Sequence, residues 1–126
     1  MDIDLDVIYR ILSDVARNQG QITYGELSNR YAKITGNWHD PHGSWDEPLG
    51  RLNTILNASR WQPLSAVVVL KETYEPGGQF WGSSPNIPVR PPNDLNRITA
   101  YGRILSLVHG DPWPTEDIPL EPPANS

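Results

Sequence analysis

The chain contains no cysteine among its 126 residues. That excludes disulfides, thiolate metal ligands and a cysteine nucleophile. No apolar run approaches the ~20 residues that span a bilayer. The N-terminus carries Asp2, Asp4 and Asp6, where a secretory signal would have a basic region followed by an apolar stretch. The expectation is a soluble, cytoplasmic protein.

Positive charge is also scarce. The net charge is −5. Residues 111–126 hold Asp111, Glu116, Asp117 and Glu121 and no Lys or Arg, which leaves a net of −1 for residues 1–110. A near-neutral body lacks the basic footprint of a strong nucleic-acid binder, although a local basic patch is compatible with it. The length suits one domain with a modest core. The reading is a single globular domain over 1–110, followed by a Pro-rich acidic tail over 111–126 with the composition of a disordered segment.

Proline and tryptophan are abundant. Most of the 13 prolines lie after position 75. Trp38, Trp45, Trp61, Trp81 and Trp113 all fall in predicted loops, helix starts or strand ends. There they either pack over a small core or form a contact surface.

Apolar periodicity predicts a helix over 3–18, with Ile8, Ile11, Leu12 and Val15 inward and Gly20 as its stop. Thr23-Tyr24-Gly25-Glu26 has the form of a capping box. It opens a second helix over 24–34 with Leu27, Tyr31 and Ile34 on one face. Ser44 to Glu47 has the same form and opens a third helix over 45–58, with Leu49, Leu52, Ile55 and Leu56 inward. Pro48 is tolerated because it falls in the first turn. The β-branched run 64–71 predicts a strand, Glu75-Pro76-Gly77-Gly78 a turn, and Gln79-Phe80-Trp81 a short returning strand. A Pro-rich crossing over 83–93 leads to a last helix over 94–109. Asn93 is its cap, and Leu95, Ile98, Tyr101, Leu105 and Val108 face inward. The order is α-α-α-β-β-α: a small α+β domain with a β-hairpin, winged-helix-like.

Three constellations bear on chemistry. His39, Asp40, His42, Asp46 and Glu47 could hold a divalent ion or serve acid–base catalysis. Their spacing matches no helical metal motif, however, and a structural loop accounts for them. The glycines at 77 and 78 lead into no helix bearing a lysine, so they make a hairpin turn and not a phosphate loop. Ser65, Ser83 and Ser84 lack a local base and a nucleophile-elbow pattern. The helix pair 24–34 and 45–58 could read DNA, but its second member begins Asp46-Glu47, and two carboxylates would face phosphate. Arg51, Asn53, Asn57 and Arg60 lie further along and are candidate contacts. Neither a metal nor another cofactor is expected.

Ile22-Thr23-Tyr24-Gly25-Glu26-Leu27, Pro48-Leu49-Gly50, Ile55-Leu56-Asn57 and Pro63-x-x-x-Val67-Val68, with the helix at Arg103-Ile104-Leu105, resemble the C-terminal domain of the O6-alkylguanine-DNA alkyltransferases and alkyltransferase-like proteins. The resemblance covers roughly residues 3–110. Where that family reads Pro-Cys-His-Arg-Val, this chain reads Pro63-Leu64-Ser65-Ala66-Val67. Leu64 matches the reactive cysteine, Ser65 its activating histidine and Ala66 the arginine. Glu47 matches the arginine finger that replaces a flipped base, and His109 falls near the family's acidic partner. The segment from Asn57 to Pro63 is one residue shorter than the family's. Alkyl transfer needs a thiolate and a base, so the resemblance implies a scaffold without that activity. Tyr24 and Asn57 match family positions near the base pocket. The chain is also similar to uncharacterised bacterial and phage proteins with Tyr-Gly-Glu-Leu, Leu-Ser-Ala-Val-Val and Pro-Gly-x-x-Phe segments.

The first functional expectation is a non-enzymatic binding module, with nucleic acid as a possible ligand. The alternative is an acidic protein-interaction module, such as an inhibitor, immunity or adaptor protein of a phage or mobile element. The third is a metal-dependent hydrolase using the 39–47 loop. The residues carried forward as candidate binding positions are Tyr24, Arg51, Asn57, Arg60, Trp61 and Trp81.

Overall fold

A computed structural model describes residues 3–123. It contains α1 (Leu5–Arg17), β1 (Ile22–Thr23), α2 (Tyr24–Thr35), α3 (Asp46–Ala58), a 3-10 turn (Leu64–Val67), β2 (Val68–Val69), a second 3-10 turn (Gly78–Phe80) and α4 (Asp94–Gly110). This is a small α+β architecture. Among the described residues no helix is long and apolar enough to cross a membrane.

The helices whose signals are local form as expected. The Asp4 side chain accepts from the Asp6 N–H and caps α1, whose Ile8, Ile11, Leu12 and Val15 are buried. Both bonds of the Thr23–Glu26 capping box are present, at 3.1 and 2.9 Å, and Gly36 closes α2 in the left-handed conformation. The Asn93 side chain accepts from the Asn96 N–H and caps α4. The Ser44–Glu47 box does not form. Buried Trp45 takes the cap position in a helical conformation with no side-chain cap bond, because its indole is held on α2, donating to Ser28 Oγ at 2.9 Å.

The sheet departs from expectation. The run after Pro63 is a 3-10 turn leading into a two-residue strand, and β2 pairs with β1 in parallel, Ile22 opposite Val68 and Thr23 opposite Val69. Residues 78–80 are a 3-10 turn, with the Phe80 N–H donating to Gly77 O, so no 64–71/79–81 hairpin forms. The reason lies in the bonds made by residues 64–67. Asn53 takes the Ser65 N–H, Pro63 O takes the Ala66 N–H, and the Tyr101 hydroxyl donates to Ala66 O at 2.7 Å. These satisfy polar groups that a strand would give to a ladder neighbour. Leu64, Ala66 and Val67 are fully enclosed, and α1, α3 and α4 all pack on this turn.

Three predicted inward positions point out. Ile34, Leu95 and Ile98 are more than half exposed, while Ile104 is buried. In α4 the inner row is Arg97, Tyr101, Ile104 and Val108, phased by Arg97, which reaches Glu75 at 2.8 Å. Trp45, Trp61 and Trp113 are core residues, Trp81 is half-buried and Trp38 is exposed. The tail, expected to lack fixed structure, is packed through residue 123. Trp113 stacks on Trp61 with ring centroids 4.9 Å apart, and the Tyr9 hydroxyl donates to Pro114 O at 2.7 Å.

Candidate functional site

The 3-10 turn at 64–67 lies where α1, α3 and α4 meet. Leu64 fills its space in the core. Ser65 is fixed by Asn53, whose Nδ2–H donates to Ser65 Oγ at 2.6 Å while its Oδ1 accepts the Ser65 N–H at 3.1 Å. Asn53 is fully buried, so it is a support for the turn and not a nucleic-acid contact.

Outward of Ser65 lies a small cavity of about 10 Å³ between the starts of α2 and α3 and the second 3-10 turn. Tyr24, Asp46, Leu49, Ser65, Gln79 and Ser83 are among its walls. It has room for about one water molecule. The Tyr24 hydroxyl accepts the Gly77 N–H at 3.1 Å, and burial pushes its ionisation above the ordinary tyrosine range. A Cβ at Gly77 would stand 3.1 Å from that hydroxyl, so the absent side chain there lets the 77–81 loop close over Tyr24.

The cavity shares Asp46, Gln79 and Ser83 with an open groove of about 360 Å³, completed by Glu47, Trp81 and Gly82. Desolvation raises the Asp46 carboxyl above its usual range. Glu47 lies 3.5 Å from Arg51, one turn along α3. The groove thus presents two carboxylates, an amide and an indole at one helix start.

This arrangement unites Tyr24, Trp81 and, through Glu47, Arg51. The other three candidates lie at the far end of α3. Asn57 is half-buried and accepts the Arg60 N–H through its carbonyl. Arg60 is exposed with φ 66°. Trp61 is buried, its indole donating to Glu121 O at 2.7 Å. Sequence reading assigned Asp46 to capping and Gln79 to a strand, and both belong to the groove. The adjacent glycines before Gln79 were the available signal for a close approach there.

Charge on the rest of the surface is largely internally balanced. Among the described residues, five of the ten cationic residues are in ion pairs: Arg10, Arg17, Arg30, Arg51 and Arg97. Lys33, Arg60, Lys71, Arg90 and Arg103 are exposed. They are spread over α2, the end of α3, the exit of β2, the proline-rich crossing and α4.

The 39–47 loop divides its polar groups. The His39 ring packs edge-on against Tyr31 and Trp45, with centroids 5.4 and 5.6 Å away. His42 sits on the surface with Nδ1 3.0 Å from Asp40 Oδ1, and its hydrogen bonds hold the Asp40 carboxyl below the usual range. Among the described residues no group of three or more His, Asp or Glu side chains converges to hold an ion.

No family model, curated protein or solved structure matches the chain.

Proposed function

We propose that this chain is a non-enzymatic protein-interaction module on an alkyltransferase-like scaffold, and that the groove of Asp46, Glu47, Gln79 and Trp81 receives a basic side chain of its partner. The observation that carries this reading is the pairing of two carboxylates with an indole in one open groove, at the end of α3 where a DNA-reading helix would present cations or amides. An arginine or lysine there meets opposite charge and an aromatic face. The dispersed free cations are consistent with a protein ligand. Residues 64–66 supply neither a nucleophile nor a base, which supports binding without catalysis.

Nucleic acid is the second reading, favoured by the resemblance and by Tyr24 at the cavity mouth. Size argues against a flipped base at that point. The cavity is about 10 Å³, against the ~300 Å³ or more of ordinary ligand sites.

One titration separates the two readings. An arginine-rich peptide is added to the protein while tryptophan fluorescence is followed, and duplex DNA is titrated in parallel at several salt concentrations. The peptide should bind, and paired Asp46→Asn and Glu47→Gln substitutions, or Trp81→Ala alone, should remove that binding. Salt-dependent duplex binding that survives these substitutions, with no peptide binding, would transfer the function to nucleic acid.

A further inference from the structure

Trp81 is shared between two grooves. One is the acidic groove with Asp46, Glu47 and Gln79. The other, of about 370 Å³, is bounded by Leu70, Glu75, Pro76, Gly78, Arg90 and Arg97 as well as Trp81. They are neighbours along one loop: Gly78 lines the second, Gln79 the first, and Trp81 both. Buried Phe80 holds Trp81 edge-on, with ring centroids 5.4 Å apart.

The second groove presents groups that the fold itself does not use. The three core tryptophans each donate their indole N–H, Trp45 to Ser28, Trp61 to Glu121 and Trp113 to Val108. Half-buried Trp81 donates to nothing among the described residues. Arg97 is engaged by Glu75 at 2.8 Å and by Asp94 at 2.7 Å. Arg90 is exposed and makes no ion pair or hydrogen bond among the described residues. Leu70 is 40% exposed, on an apolar wall that Pro76 and Trp81 continue. An indole N–H fits a main-chain carbonyl, an aliphatic wall fits an apolar side chain, and an unmatched cation fits a carboxylate. A phosphate backbone, negative throughout, would meet Asp46 and Glu47 beside Trp81. A ligand of positive charge alone would leave Arg90 unmatched. A protein segment carrying both signs matches both grooves.

We propose that the two grooves form one cleft for an extended segment of a partner protein. A basic residue of that segment enters beside Asp46 and Glu47, a short apolar stretch crosses Trp81, and an acidic residue meets Arg90. The basic end rests on the function proposed above for the acidic groove, and the Arg90 end adds to it. Peptides with blocked termini test the cleft by tryptophan fluorescence. One is arginine-rich with no acidic residue. The others add a glutamate before its first or after its last arginine, through spacers of about one to four alanines, which cover ~7–17 Å in extended form. The best-spaced peptide should bind about threefold or more tightly than the one without glutamate. Arg90→Gln should abolish that gain and leave the affinity for the acid-free peptide unchanged. Arg90→Glu should reverse the preference, so that a further arginine in place of the glutamate binds better. A glutamate that brings no gain at any spacing, or a gain indifferent to both substitutions, overturns the two-signed cleft while the acid-free peptide still reports on the acidic groove alone. If no peptide binds, both readings fall. Duplex DNA that displaces the peptide at low salt through Arg90 would assign that end to nucleic acid and equally overturn the proposal.

Discussion

Asn53 grips Ser65 at two points, donating to its hydroxyl at 2.6 Å and accepting its amide N–H at 3.1 Å. Both residues are buried, so bulk water does not readily replace either bond. Asn53→Ala strands a main-chain donor and a hydroxyl inside the core. The expected loss is about 2–4 kcal/mol, read from the midpoint of a urea titration. Asn57→Ala, one turn on and half-buried, should cost under about 1 kcal/mol. Equal losses at the two positions would mean that the turn does not depend on this grip.

Leu64→Cys places a thiol where the proposed alkyltransferase-like scaffold would carry a reactive one. Leu64 is fully enclosed, and Ser65, the next residue, is bound to Asn53 and supplies no base. The variant should lose about 1–3 kcal/mol through the space left behind. Its thiol should react with an alkylating reagent far more slowly than a free cysteine, because reaction waits on opening of the fold. A native thiol modified as fast as free cysteine would show that the turn opens readily.

Burial pushes both Tyr9 and Tyr101 up to about 12. Each is raised above its unfolded value of 10.0. The stability each contributes is therefore fully present below pH ~10 and is lost as pH rises through ~12. Urea midpoints should be flat up to about pH 10 and then fall, with phenolate absorbance from the buried rings appearing only alongside unfolding. Tyr9→Phe should make the fall shallower and also loosen the tail, since that hydroxyl donates to Pro114 O.

Asp46 follows the same sign at acid pH. Desolvation raises its carboxyl, so its ionised form is disfavoured in the folded state. The contribution from this group is present below the ordinary aspartate range and is lost as pH rises through the raised value. Asp46→Asn should therefore raise stability at neutral pH, by less than about 1 kcal/mol because the site is partly solvated, and weaken binding of a basic peptide. A substitution that stabilises while removing binding is the pattern of a group retained for function. A thermal scan at neutral pH paired with the peptide titration checks both halves.

The helices were legible because their instructions are local. Asp4, Thr23 with Glu26, and Asn93 cap helices through residues two or three positions away, and the apolar spacing in α1 names its buried face. The groove was only half legible. Tyr24 and Trp81 stood out by type, but Asp46 and Gln79 acquire meaning only when α3 meets the 77–81 loop. Trp61 looked like a contact residue because its type and loop position are equally compatible with exposure, and it is covered only when Trp113 and the tail at Glu121 pack on it.

By itself, then, the sequence determined the four helices, the caps at Thr23 and Asn93, the α+β class and the absence of any thiol, all of which follow from residue type and short spacing. Tertiary structure alone decided the path of residues 64–69, the parallel pairing with Ile22–Thr23 and the docking of the tail. The reason is distance along the chain. Ala66 O is satisfied by Tyr101, 35 positions later, and Pro114 O by Tyr9, 105 positions earlier. No local pattern encodes partners that meet only after the core has closed.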